Sequence, residues 1–289
     1  MRSIKSIQLL LGLFAICTAT ELNPDGLRRL EQNNCGIFKE SHIIGGEEVF
    51  TGSRPWMALI RTKLPDKISN TCSGTLITDQ FVLTVAHCVK GAEIISMQVD
   101  LTTDVDCNNS TTKTTCLSNI ESFGIESVII HENFETPTSF SNDIALIKLK
   151  SKVDFKEHNS PICLPVNAAL EKEATSRETL LHTGWGYNNW GLSNDKLHEV
   201  IVNNNVANQT CGPLIPVKSE NHICFSASSE TLCRGTSGNP LSGLVDYSGM
   251  KRFVQFAIVS FGYRNCNPSV GINVARFMPW ITNVLAEES

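Results

Sequence analysis

Cys233-Arg234-Gly235-Thr236-Ser237-Gly238-Asn239-Pro240-Leu241 is the stretch on which the reading of this chain turns. A serine flanked by glycines sits in a tight turn, where its own N–H and that of Gly235 can converge on an oxyanion. Two upstream stretches supply complementary groups, Thr84-Val85-Ala86-His87-Cys88 and Asn142-Asp143-Ile144-Ala145-Leu146. His87 follows the apolar run 81–86 and precedes Cys88, which places it at a strand end beside a disulfide candidate. Asp143 stands just before an apolar run, where a carboxylate at a strand start can point back toward the histidine. Singly, such residues are most often a turn serine, a core histidine and a solvated aspartate. Together, in these contexts, they are the three residue types that nucleophilic acyl transfer needs.

Around these stretches the chain is written in short runs rich in Val, Ile and Leu, separated by Gly, Pro, Asn and Asp. Examples are 56–61, 74–77, 81–84, 127–130, 144–149, 199–202 and 253–261. Short strands with turn signals between them predict an all-β sandwich or barrel. Helical spacing is confined to roughly 279–287, with Ile281, Val284 and Leu285 on one side. Pro161-Ile162-Cys163-Leu164-Pro165 reads as a hinge between two halves of similar size. Residues 20–42 are polar and carry Pro24, Gly26 and a lone Cys35, as expected of a tail or pro-segment.

The first 19 residues form a basic start (Arg2, Lys5), an apolar run from Ile7 to Ile16 and a small-residue end, the pattern of a cleaved secretory signal. The run is too short for a membrane anchor. A secreted, extracellular protein is expected. One of the 11 cysteines, Cys17, lies in this leader, and the rest are even in number, as suits an oxidising compartment. The net charge of −5, with no long basic run, argues against nucleic acid and anionic membranes as partners. Asn108, Asn109 and Asn208 each open an Asn-x-Ser/Thr triplet, so glycans are expected on the surface. No cofactor or metal site is expected. His131-Glu132-Asn133-Phe134-Glu135 lacks the second histidine of a zinc helix, and acidic loops such as that of Asp104 and Asp106 are usually solvated.

With Ile43-Ile44-Gly45-Gly46, Arg54-Pro55-Trp56, Cys72-Ser73-Gly74, Gly184-Trp185-Gly186 and Ser260-Phe261-Gly262, the chain resembles the chymotrypsin-like (trypsin-fold) serine proteases from about Ile43 to Ile281. It is similar in particular to secreted arthropod clip-associated proteases. Residues 20–42 hold too few cysteines for a clip module. The resemblance implies two six-stranded antiparallel β-barrels with an active-site cleft between them and a C-terminal helix, a protease domain over 43–286 acting as a monomer. It implies Ser237 as nucleophile, His87 as general base and acid, Asp143 as its orienting partner, and Ser260 as support for Asp143. The oxyanion hole would be the N–H groups of Gly235 and Ser237. It also implies the disulfides Cys35–Cys163, Cys72–Cys88, Cys107–Cys116, Cys211–Cys224 and Cys233–Cys266. Partners would be protein or peptide substrates, other cascade proteases and serpin-type inhibitors.

Three positions depart from the family pattern. Members are activated by cleavage before Ile-x-Gly-Gly, which frees an amine that pairs with an Asp just before the serine. Here that residue is Thr236, and a buried ammonium without a counter-ion costs several kcal/mol. The bond to be cut, His42–Ile43, lacks the Arg or Lys that trypsin-like activators prefer. Asn239 replaces a glycine, a mild change even if the position needs positive φ. The substrate pocket expected from Thr231, Ser260, Gly262 and Ser269 is small, polar and neutral. It should favour small or medium neutral side chains over Arg or Lys. Two functions are therefore carried forward: a secreted serine endopeptidase, and a catalytically silent or weak homologue that binds within a proteolytic cascade.

Overall fold

A computed structural model describes residues 21–31, 34–38, 53–64, 67–101, 120–185, 197–204, 211, 220–227, 236–247, 249–262 and 268–288. Helix α1 (Pro24–Glu31) comes first. Six strands then close the first barrel: β1 (Met57–Leu64), β2 (Lys67–Leu76), β3 (Phe81–Thr84), β4 (Met97–Leu101), β5 (Glu121–Ile130) and β6 (Ala145–Leu149). Their order around the barrel is β1-β2-β3-β6-β5-β4, with every pairing antiparallel.

Helix α2 (Ala168–Ser176) follows the connection, with the Asn167 side chain accepting from Leu170 N at 3.0 Å as its N-cap. The second barrel comprises β7 (Thr179–Gly184), β8 (His198–Asn204), β9 (His222–Ala227), β10 (Pro240–Tyr247), β11 (Met250–Gly262) and β12 (Ser269–Asn273). It closes in the order β10-β11-β12-β9-β8-β7. Helix α3 (Val274–Glu287) leaves β12 directly and lays Phe277, Met278, Ile281 and Leu285 on the core of the first barrel. The two barrels and the C-terminal helix match the expectation.

Closure explains why the strands need not alternate strictly. Phe81 to Thr84 are all buried, since one face of β3 points into the barrel and the other lies under neighbouring chain. The barrels are tied across their seam by a hydrogen bond from Thr75 Oγ1 to Gln255 Oε1 at 2.6 Å. A buried ion pair reinforces the tie. Arg54, just ahead of β1, meets Glu199 of β8 through Nε–Oε2 at 2.7 Å and Nη2–Oε1 at 2.6 Å, both side chains being 1% exposed. Thr183 Oγ1 donates to the same carboxylate at 2.6 Å, and the guanidinium lies 4.5 Å over the Phe253 ring.

Helices α1 and α2 were not expected, because neither carries a sustained apolar period, and α3 begins at Val274, five residues earlier than its spacing indicated. Helix α1 is held by tertiary contact. Its Gly26 packs so closely on α3 that a Cβ there would lie 1.9 Å from the Thr282 carbonyl oxygen. Arg29 Nη1 donates to the Leu285 carbonyl at 2.7 Å, satisfying one of the open carbonyls at the end of α3. Over 24–31 the segment read as a tail or pro-segment packs on α3.

Candidate active site

His87 lies in a single 3₁₀ turn, Ala86–Cys88, directly after β3, and the Cys72–Cys88 disulfide ties that turn to β2. Asp143 lies just before β6, the neighbour of β3, so strand pairing alone brings the two residues together. Asp143 is fully buried. Its Oδ1 accepts the His87 backbone N–H at 2.8 Å, and its Oδ2 accepts His87 Nδ1–H at 2.7 Å. A hydroxyl from the second barrel, Ser260 Oγ, donates to the same Oδ2. With three donors on one carboxylate, the histidine is fixed as the Nδ1–H tautomer, which leaves Nε2 bare as an acceptor. The side chain of His87 remains 27% exposed.

Ser237 lies in the turn that enters β10. That turn is closed by Asn239 N–H donating to the Thr236 carbonyl at 3.0 Å. It is pinned to the first barrel by Ser73 N–H on the Ser237 carbonyl at 2.9 Å, and to β11 by Gly238 N–H on Val259 at 2.8 Å. The left-handed position is Gly238, at φ 87°, where a Cβ would meet the Ser73 carbonyl oxygen at 1.8 Å. Asn239 therefore does not occupy a positive-φ site. The Ser237 hydroxyl is directed at the Ser260 carbonyl, 3.5 Å away. Thr236 is buried, and it has no charge to offer a buried amine.

Ser260, Gly262 and Ser269 come together through the β11–β12 pairing, in which Gly262 faces Ser269. A Cβ on Gly262 would sit 2.4 Å from Ser269 Oγ, so the glycine opens room beside that hydroxyl. Cys35–Cys163, Cys72–Cys88 and Cys211–Cys224 are formed as expected. Gly235, Thr231, His42, Ile43, Cys107, Cys116, Cys233 and Cys266 lie outside the described residues.

Several residues at the site left no readable signal in the sequence. Phe140 stacks on Phe261 with ring centroids 4.9 Å apart and presents its edge to His87 at 5.6 Å. It lies in an aperiodic loop, so nothing local marks it. His222, the first residue of β9, hydrogen bonds the Phe140 backbone, and Asn221 just ahead of it donates from Nδ2 to Asn142 Oδ1 at 3.2 Å, gripping the Asp143 turn from the second barrel. Burial drives the His222 pKa down, against opposing effects of that hydrogen bond and of Asp143. The sulfurs of Cys72 and Cys88 beside His87 are joined as a disulfide and cannot act as thiolate ligands of a metal.

The family model described as Trypsin matches residues 43–281. Serine protease grass of Drosophila melanogaster is 32% identical over 271 residues, which is 89% of this chain and 71% of that relative. Phenoloxidase-activating factor 3 of Holotrichia diomphalia is 30% identical, covering 93% of this chain and 80% of the relative. Among solved structures, the crystal structure of the Drosophila Grass clip serine protease of the Toll pathway superposes with a TM-score of 0.77 at 31% identity, over 93% of this chain and 80% of that one.

Proposed function

The chain belongs to the trypsin family of serine proteases, and on that premise we propose that it is a secreted endopeptidase working through Ser237, His87 and Asp143. The observation that carries this is the Asp143 carboxylate, buried and held by both His87 N–H groups and by the Ser260 hydroxyl. A carboxylate so placed orients the imidazole and stabilises it once charged. Ser237 Oγ rotates from the Ser260 carbonyl to His87 and attacks the scissile carbonyl while Nε2 takes its proton. The N–H groups of Gly235 and Ser237 receive the oxyanion. His87 then protonates the leaving amine, and water, activated by the same nitrogen, releases the acyl group. Gly262 beside Ser269, with the uncharged Thr231 where the family resemblance expects the pocket's specificity residue, favours small or medium neutral side chains, because neither serine nor threonine pairs a buried cation. Substrates are proteins or peptides, and other cascade proteases and serpin-type inhibitors are the further partners.

The uncharged Thr236 favours a second reading, a silent or weak homologue that binds within a cascade. The two separate on reaction with a fluorophosphonate probe before and after controlled cleavage at His42–Ile43. Labelling of wild type that is lost in Ser237→Ala supports the enzyme. Labelling only after Thr236→Asp means an intact but unswitched site and supports the binding role.

A further inference from the structure

Under the Ser237 turn lies a buried histidine that the mechanism does not use. His182, on β7, is 2% exposed and faces inward against Phe225, with ring centroids 6.0 Å apart. Asn239 Nδ2 lies 3.2 Å from its Nε2. An amide NH₂ can only donate, so the imidazole accepts there. Burial holds the His182 pKa down to about 4, so the ring is neutral at physiological pH and keeps one nitrogen as an acceptor.

Asn239 is also the residue that closes the Ser237 turn. Its N–H binds Thr236, and its carbonyl accepts Val259 N–H at 2.9 Å. Its fully buried amide fills the space over Gly184, where a Cβ would lie 1.9 Å from Nδ2. One side chain thus joins the turn carrying the nucleophile to the wall of the second barrel. The neutral Thr236 brings no ionic hold to this turn, and this hydrogen bond links its side chains to β7, beside the longer contact of Ser237 Oγ with the Ser260 carbonyl of β11.

We propose that Asn239 and His182 are a matched pair of positioning residues that set the Ser237 turn through a neutral hydrogen bond inside the second barrel. The inference rests on the endopeptidase reading for its effect on reactivity. The anchor itself does not depend on that reading.

The test compares wild type with His182→Leu, His182→Gln, Asn239→Ala and the double variant His182→Leu/Asn239→Ala. Two quantities are measured: the rate of fluorophosphonate labelling of Ser237, and hydrogen exchange of the backbone amides in 236–241. Loss of one buried hydrogen bond predicts about tenfold slower labelling and about tenfold faster exchange in His182→Leu and in Asn239→Ala. The double variant should be no worse than the more damaged single. His182→Gln, which keeps a hydrogen-bonding group in reach, should recover most of the rate even where its melting temperature equals that of His182→Leu. Wild-type rates and exchange in His182→Leu, or multiplicative losses in the double variant, overturn the proposal. If wild type cleaved at His42–Ile43 does not label, the endopeptidase reading fails, and the exchange comparison alone decides the anchor.

Discussion

Glu199→Leu removes the carboxylate that neutralises Arg54 and leaves a guanidinium in a place 1% exposed. Two charge-assisted contacts of 2.7 and 2.6 Å disappear, and Thr183 Oγ1 loses its acceptor. Removing one partner of a buried pair costs about 3–5 kcal/mol, mostly the penalty of the uncompensated charge. At roughly 2–4 °C per kcal/mol for a body of this size, the melting temperature should fall by about 6–20 °C. Arg54→Met/Glu199→Leu replaces both charges by apolar groups of similar volume, and buried pairs so replaced are often neutral or better. The double variant should therefore melt higher than Glu199→Leu alone. Calorimetry at one fixed scan rate makes the comparison, since such proteins often unfold irreversibly. A drop of under about 2 °C in Glu199→Leu would refute the buried-charge argument. A double variant that loses the sum of both single losses would refute the pairing.

Gly238→Ala should lose more than about 2 kcal/mol of stability together with Ser237 labelling, because a left-handed backbone and a backbone overlap coincide there. Denaturant unfolding alongside the labelling assay checks it. Gly26→Val should undock α1 from Thr282 at about 1–3 kcal/mol, which limited proteolysis within residues 21–31 would report. His182 supplies a pH signature. Its pKa is lowered to about 4 in the fold, so below the unfolded value near 6.5 the unfolded chain takes up a proton that the folded one refuses. Stability should fall from pH 6.5 toward pH 4 by about 3 kcal/mol on this account, and His182→Gln should lack that part of the slope.

Much of the first barrel is legible locally. Phe81 to Thr84 is read as a strand with the bounds it has, since four buried residues in a row leave a plain apolar run. The strands β7, β9 and β10 are harder to read, because His182, His222, Ser242 and Asp246 interrupt them. His182 meets Asn239, His222 meets the Phe140 backbone and Asp246 faces solvent, whereas Ser242 is buried with its hydroxyl unpartnered. The Ser237, His87 and Asp143 contexts are equally plain in the sequence. What brings His87 and Asp143 together is that β3 pairs with β6, and β11 of the other barrel delivers Ser260 to the same carboxylate.

The sequence by itself determined the strand-forming runs, the glycine after Ser237, the contexts that make Ser237, His87 and Asp143 candidates, and the lack of charge at Thr236. These are short-range matters of side-chain chemistry, turn conformation and periodicity. Tertiary structure alone decided that Arg54 meets Glu199 across 145 residues, that Phe140 covers His87, that helix α1 packs on α3 and that His182 stands under Asn239. Each of these needs two barrels closed and pressed together. Burial then turns an ordinary charge or amide into one that must find its partner.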